Sequence, residues 1–170
     1  MNLLDKVQIV SGFLPVDLQD GANTGDVVSM KNYGHLTVVF FKNVGTAGDD
    51  PTLTLLQGTD VAFGTNKALN FTSVWTKQDT VLTSTGTFTE NTQDAANEFT
   101  DDSSAEDAAI WVVEIDAADL DVENGYDCVR ASVADVGTNE QLGCLLYLLS
   151  EPRYAGSTLP RCSFRKFLVS

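Results

Sequence analysis

Residues 52–55 read Thr-Leu-Thr-Leu, a polar-apolar alternation with a period of two, and the strand predicted over Thr52–Gln57 has one buried face. The same period returns at Phe71–Lys77, where Phe71, Ser73, Trp75 and Lys77 share a face. His35–Asn43 (HLTVVFFKN) is dense in β-branched and aromatic side chains, which suit a pleated, half-buried surface. Further strands are predicted at Val7–Val10, stopped by Gly12 and Pro15, and at Asp26–Met30, Ile110–Ile115 and Asp127–Val133. Val81–Phe88 is rich in threonine and reads as a weaker strand. Leu142–Leu149 (LGCLLYLL) is apolar at both parities and predicts a central strand covered on both faces.

Between these runs lie turn signals. Gly45–Pro51 and Gly58–Lys67 read as loops, and Asn124-Gly125 and Gly137–Gln141 as turns. Asp116 is placed to cap a brief helical turn at Ala117–Leu120. Glu90–Ala109 has Phe99 as its one large apolar residue and reads as a long loop with room for a short helix. Eight or nine short strands without a 3.6-residue period predict an all-β chain with under about 15% helix. The expected architecture is an antiparallel β-sandwich, jelly-roll-like, because the connections are long. No repeat or linker divides the chain. Residues 1–150 are taken as one sandwich domain and 151–170, where alternation is lost, as an extended C-terminal arm. Trp75 and Trp111, each inside an alternating strand, are assigned to the core.

Charge changes the picture. The 170 residues carry a net charge of −14. From Gln78 to Val129 there is no lysine or arginine but there are 14 carboxylates. Such a surface disfavours nonspecific contact with nucleic-acid phosphates. The balance is uneven, however. Residues 1–150 hold six basic against 23 acidic residues, a net of −17, whereas 151–170 hold four (Arg153, Arg161, Arg165, Lys166) against Glu151, a net of +3. A basic end with Phe164 and Phe167 on an acidic body suggests contact with an acidic neighbour, such as another copy of the chain. Arg153, Arg161, Phe164, Arg165, Lys166 and Phe167 are therefore the candidate partner-contact residues. No run approaches the ~18 apolar residues of a membrane span, and Met1–Pro15 lacks the long apolar core of a signal peptide, so a protein made in the cytoplasm and not bound to membrane is expected.

Candidate chemistry is sparse. His35 is the one histidine and no CxxC occurs among Cys128, Cys144 and Cys162, so no zinc site is expected. Cys128 and Cys144 read as small core residues and Cys162 as a residue of the arm. A hydrolase triad would have to use His35, and no GxSxG accompanies it, so His35 reads as structural. Asp119–Gly125 (DLDVENG) faintly resembles a calcium loop, but Asn124 takes the sixth place where glycine belongs and Arg130 the twelfth where a bidentate glutamate belongs. Asp101, Asp102, Glu106 and Asp107 read as solubilising charge. Trp75, Trp111, Phe40 and Phe41 could line a sugar-binding face, although core packing is the simpler reading. No carboxylate pair is singled out, and Gly45–Gly48 lacks the lysine of a phosphate loop. No catalytic residue, metal or cofactor is assigned, and an enzyme is not expected. Asn70-Phe-Thr72 fits a glycosylation sequon that has no meaning without secretion.

The segments NYGHLTVVFFKNVGTAGDDPTLTLLQGTDVAF, ALNFTSVW and AAIWVVEIDAADLDVENGYDCVRASVADVGTNEQLGCLLYLLSEPRYA resemble a family of small proteins of tailed bacteriophages and prophages, encoded among the head genes. The resemblance covers roughly residues 1–160, and RCSFRKFLVS departs from the family's usual ending. It implies a virion component, most plausibly a head decoration (cement) protein on the capsid exterior. The major capsid protein would be its partner, and a homo-oligomer, with a trimer favoured, its assembled state, because decoration sites lie on symmetry axes. The alternative is a tail or spike module that binds host glycans through exposed aromatics.

Overall fold

The computed structural model describes residues 3–79, 82, 85–100 and 107–154. The described chain is all-β, built from two antiparallel sheets of six strands. The larger sheet runs β1 (Gln8–Asp17), β12 (Leu142–Pro152), β4 (Tyr33–Lys42), β10 (Ala108–Asp116), β7 (Phe71–Asp79), β8 (Thr89–Ala96). The smaller is centred on β11 (Cys128–Val133) and β5 (Thr52–Gly58). The short strands β2 (Asn23–Thr24) and β3 (Val28–Ser29) pair with β11, and β6 (Asn66–Ala68) and β9 (Glu98–Thr100) with β5. The pairs β1·β12, β2·β11, β4·β10, β5·β9 and β7·β8 are nested, early strand against late strand. A long hairpin rolled up into two layers gives this order, and it is the jelly roll that the alternation and long connections predict.

The core lies between the layers. Leu36, Val38 and Phe40 of β4, Trp111 and Val113 of β10, and Leu145 and Tyr147 of β12 are fully buried against Leu53 and Leu55 of β5 and Val129 and Ala131 of β11. Phe99 of β9 meets Trp111 edge-on, with centroids 5.1 Å apart, and so connects the two sheets through aromatic contact. The helical content of the described residues is confined to three-residue 3-10 turns, including Ala117–Asp119 after Asp116 as expected. There the backbone N–H of Asp116 donates to Asp119 Oδ2 at 2.8 Å.

Several expectations need correction. The first strand does not stop at Val10 but continues through Gly12 and Pro15 to Asp17. It is an edge strand, and its pairing with β12 shifts register on either side of Phe13. An edge tolerates the missing N–H of proline, and irregular pairing absorbs the glycine. Glu90–Ala109 is not a long loop, since it contains β8, β9 and the start of β10. Most of β8 is solvated, so its sequence (TENTQDAA) shows no apolar alternation, yet its backbone pairs with β7 from Thr76↔Thr89 to Phe71↔Ala96. The described residues of 81–88 form no strand. Asp26–Met30 contributes only the two-residue β3.

Candidate interaction surface

In a two-layer sandwich one parity of each strand faces the opposing sheet and the other faces out. The outward parity is usually polar. Here it is apolar across the middle of the larger sheet. Register places Leu146 beside Val39, Val39 beside Val112, and Val112 beside Trp75, a row across four strands. One step along, Cys144, Phe41 and Ile110 form a second row. Phe41 is 45% exposed, Trp75 40% and Leu146 38%, values that place these side chains outside the core. Phe88, just before β8, is also exposed. With Trp75, Val112 and Glu114 it lines a shallow depression of about 290 Å³.

These rows correct three readings. Leu142–Leu149 is flanked by strands on both sides, but it is covered on one face only, with Leu142 and Leu146 exposed. Trp111 is a core residue as expected, whereas Trp75 stands on the outer face. Cys128 is buried as expected, and burial pushes its thiol up to about 12. Cys144 is half-buried on the outer face, and partial burial raises its thiol above the usual range. Exposed apolar side chains in adjacent rows make this face the candidate interaction surface.

The rim of the patch is charged. His35 of β4 sits between Glu114 and Asp116 of β10, with Nε2 2.6 Å from Glu114 Oε2 and Nδ1 2.8 Å from Asp116 Oδ1. Thr37 Oγ1 donates to the same Glu114 oxygen at 2.7 Å. Burial lowers the imidazole's pKa, but hydrogen bonds to Asp116 and Glu114 and their charges outweigh it, and the net shift is upward. Both ring nitrogens face acceptors, an arrangement only the imidazolium satisfies. A raised folded pKa adds stability that is fully present below the unfolded value of about 6.5 and is lost as pH rises through the folded value. Wild-type protein is therefore expected to lose more melting temperature than His35→Gln between about pH 5 and pH 8. Parallel curves for the two proteins over that range would show that the cluster does not titrate with folding.

The other candidates are engaged elsewhere. In the Asp119–Gly125 segment the Asp121 carboxylate pairs with Lys67 and accepts Asn124 Nδ2 on both oxygens at 2.9 Å. The Lys67 bond, then that from Asn124, holds its pKa below the ordinary value. Asp119 is used on the backbone of Asp116. Among the described residues no group of three or more His, Cys, Asp or Glu is arranged to hold a metal ion. Of the partner-contact candidates, Arg153 is described: it is exposed, and its N–H donates to Asn32 O at 2.9 Å. Arg153 borders a pocket of about 120 Å³ that Met30, Leu120, Val122 and Tyr126 also line. Arg161, Phe164, Arg165, Lys166 and Phe167, with Cys162, lie outside the described residues, so Arg153 is not placed relative to them.

No family model, curated protein or solved structure matches this chain. No helix among the described residues is long and apolar enough to cross a membrane.

The outer apolar rows do not stand out from the alternation of any single strand, which marks only its inward parity. The signal was present. VVFF, AIWVV and CLLYLL are apolar at both parities, and no helix predicted from the sequence is long enough to form a third layer over the second face.

Proposed function

We propose that this protein is a phage virion structural protein, a capsid decoration or cement protein that binds the outside of the head shell and stabilises it. The observation that carries the reading is the apolar outer face of the larger sheet. A jelly roll that leaves Phe41, Trp75 and Leu146 on its surface offers a broad, rigid platform suited to lateral contact with another protein. Support also comes from the sequence resemblance, from the acidic body that keeps a free protein dispersed, and from a basic, aromatic C-terminal stretch suited to anchoring. Under this reading the major capsid protein is the partner, a homo-oligomer of trimer type is the assembled state, and no chemistry is required.

The experiment is co-sedimentation of purified protein with preassembled capsids, followed by imaging of the particles. Saturable binding at symmetry-related sites is expected, weakened by added salt where the contacts are ionic. Failure to bind any head particle would remove the reading. The exposed Trp75–Phe88 pair also favours the second reading, a glycan-binding module of tail or spike, since aromatic faces stack on sugar rings. That reading expects soluble host-type glycans to change Trp75 emission, and expects Trp75→Ala to abolish the change.

A further inference from the structure

The outer face needs an occupant, and the chain carries one of matching chemistry. The face is apolar at Val39, Phe41, Val112 and Trp75, and its rim is acidic where Glu90 lies opposite Trp75 and where Glu114 and Asp116 flank His35, with Lys77, beside Ile110 and donating to Thr85 O, as a cation on the same face. Sixteen residues follow Tyr154, and they contain Arg161, Phe164, Arg165, Lys166 and Phe167 and no carboxylate side chain. Apolar rows with an acidic margin fit aromatic side chains interleaved with cations.

The path of the chain says which copy receives this segment. Pro152 still pairs with Tyr33, and the Arg153 N–H donates to Asn32 O at 2.9 Å. The backbone at that point is running off the end of the sheet, away from the rows at Val39 and Phe41. To lie on the rows at Val39 and Phe41 of its own sheet the segment would have to reverse direction, whereas a second copy set beyond the sheet's end would receive it without a reversal. Sixteen extended residues reach about 50 Å, against a width of about 25 Å for six strands.

We propose that the outer face of the larger sheet is the acceptor for residues 157–170 of a second copy of this chain, so that each copy lays its C-terminal segment across the next. The proposal rests on the reading of the chain as an assembling protein. It assigns Trp75 and Phe41 as anchors for Phe164 and Phe167, and Glu90, Glu114 and Asp116 as partners for the three cations.

The test uses the full chain, a variant ending at Gly156, and a synthetic peptide of residues 157–170 carrying Cys162→Ser. The full chain is expected to sediment as an oligomer and the shortened one as a monomer. The peptide should bind the shortened protein saturably and shift Trp75 emission to the blue, over the constant background of buried Trp111. Peptide carrying Phe164→Ala and Phe167→Ala should bind about tenfold more weakly or worse, and Phe41→Asp in the acceptor should have a similar effect. If the shortened variant does not fold, full-length Phe164→Asp/Phe167→Asp replaces it as monomer and peptide acceptor. Absence of peptide binding overturns the proposal. So does a monomeric full chain whose Trp75 is covered at every concentration, since that would put the segment on its own sheet. Capsid binding by the full chain, measured alongside, reports separately on the decoration reading. Capsid binding without peptide binding sinks this proposal alone, and peptide binding without capsid binding supports it while removing the decoration reading.

Discussion

Replacing Trp111 by alanine is expected to cost about 3–5 kcal/mol and to lower the melting temperature on the order of 10 °C. Trp111 is fully buried in β10, tilted against Phe40 of its own sheet at 5.3 Å and edge-on to Phe99 of the other sheet at 5.1 Å. The alanine would open a cavity at the contact that joins the layers, and rigid strands on both sides prevent it from closing. The chemistry of the site also predicts the rescue. The indole Nε1 is buried without a hydrogen-bond partner among the described residues, and burying an unpaired donor is unfavourable. Trp111→Phe keeps most of the ring contact and removes that donor, so it should cost well under half as much as the alanine. Trp75→Ala, on the outer face, should also cost far less. Thermal unfolding of the three variants followed by circular dichroism checks the order. An alanine at 111 within about 1 kcal/mol of wild type would show that the interlayer contact carries little stability.

The contrast between the two tryptophans marks how far the sequence could be read. Both lie in strands, and strand existence was legible where Leu53 and Leu55 alternate cleanly with threonine, whereas in β7 the register shift beside Phe71 puts Phe71 in the core and Trp75, of the same parity, outside. The jelly-roll-like sandwich was legible from many short strands and long connections, but the strand order was not, and twelve strands are present among the described residues where eight or nine were expected. Which parity faces in was not legible where both are apolar. Trp75 and Trp111 are separated by this alone: Val112 pairs with Trp75, and so the outward parity of β10 fixes Trp75 outward while Trp111, one residue before Val112, points in. β8 and β9 were hidden for the opposite reason. Their side chains are largely solvated, so no burial pattern marks them, and their strand character comes from backbone pairing with β7 and β5. β1 was cut short because Gly12 and Pro15 are breakers in an inner strand and are tolerated in an irregular edge strand. His35 could be read as structural, but its partners Glu114 and Asp116 lie about eighty positions away and only the β4·β10 register brings them together.

A second large effect is expected where a hydroxyl joins the two sheets. Tyr147 of β12 is fully buried, and its hydroxyl accepts the backbone N–H of Ala131 in β11 at 2.7 Å. Burial holds the phenol neutral well above its usual range, so the bond persists at any ordinary pH. Ala131 is equally buried, and no water can replace a lost partner without opening the core. Tyr147→Phe is therefore expected to cost about 1–3 kcal/mol, the cost of an orphaned backbone donor, although only one oxygen is removed. Gly25 completes the node. Its N–H donates to Ala131 O at 2.9 Å, and a Cβ there would lie 2.5 Å from that oxygen and 2.9 Å from the Tyr147 hydroxyl. Gly25→Ala should thus force the backbone away from β11 and weaken both bonds. Because the two changes act on one node, their costs should not add. In a Tyr147→Phe background the hydroxyl clash is gone and its bond already lost, so Gly25→Ala should cost less than in wild type, by about 0.5–3 kcal/mol of coupling. Urea unfolding of the two single variants and the double variant measures this directly. Strict additivity would show that Gly25 and Tyr147 support Ala131 independently, and the clamp between the layers would then reduce to two separate contacts.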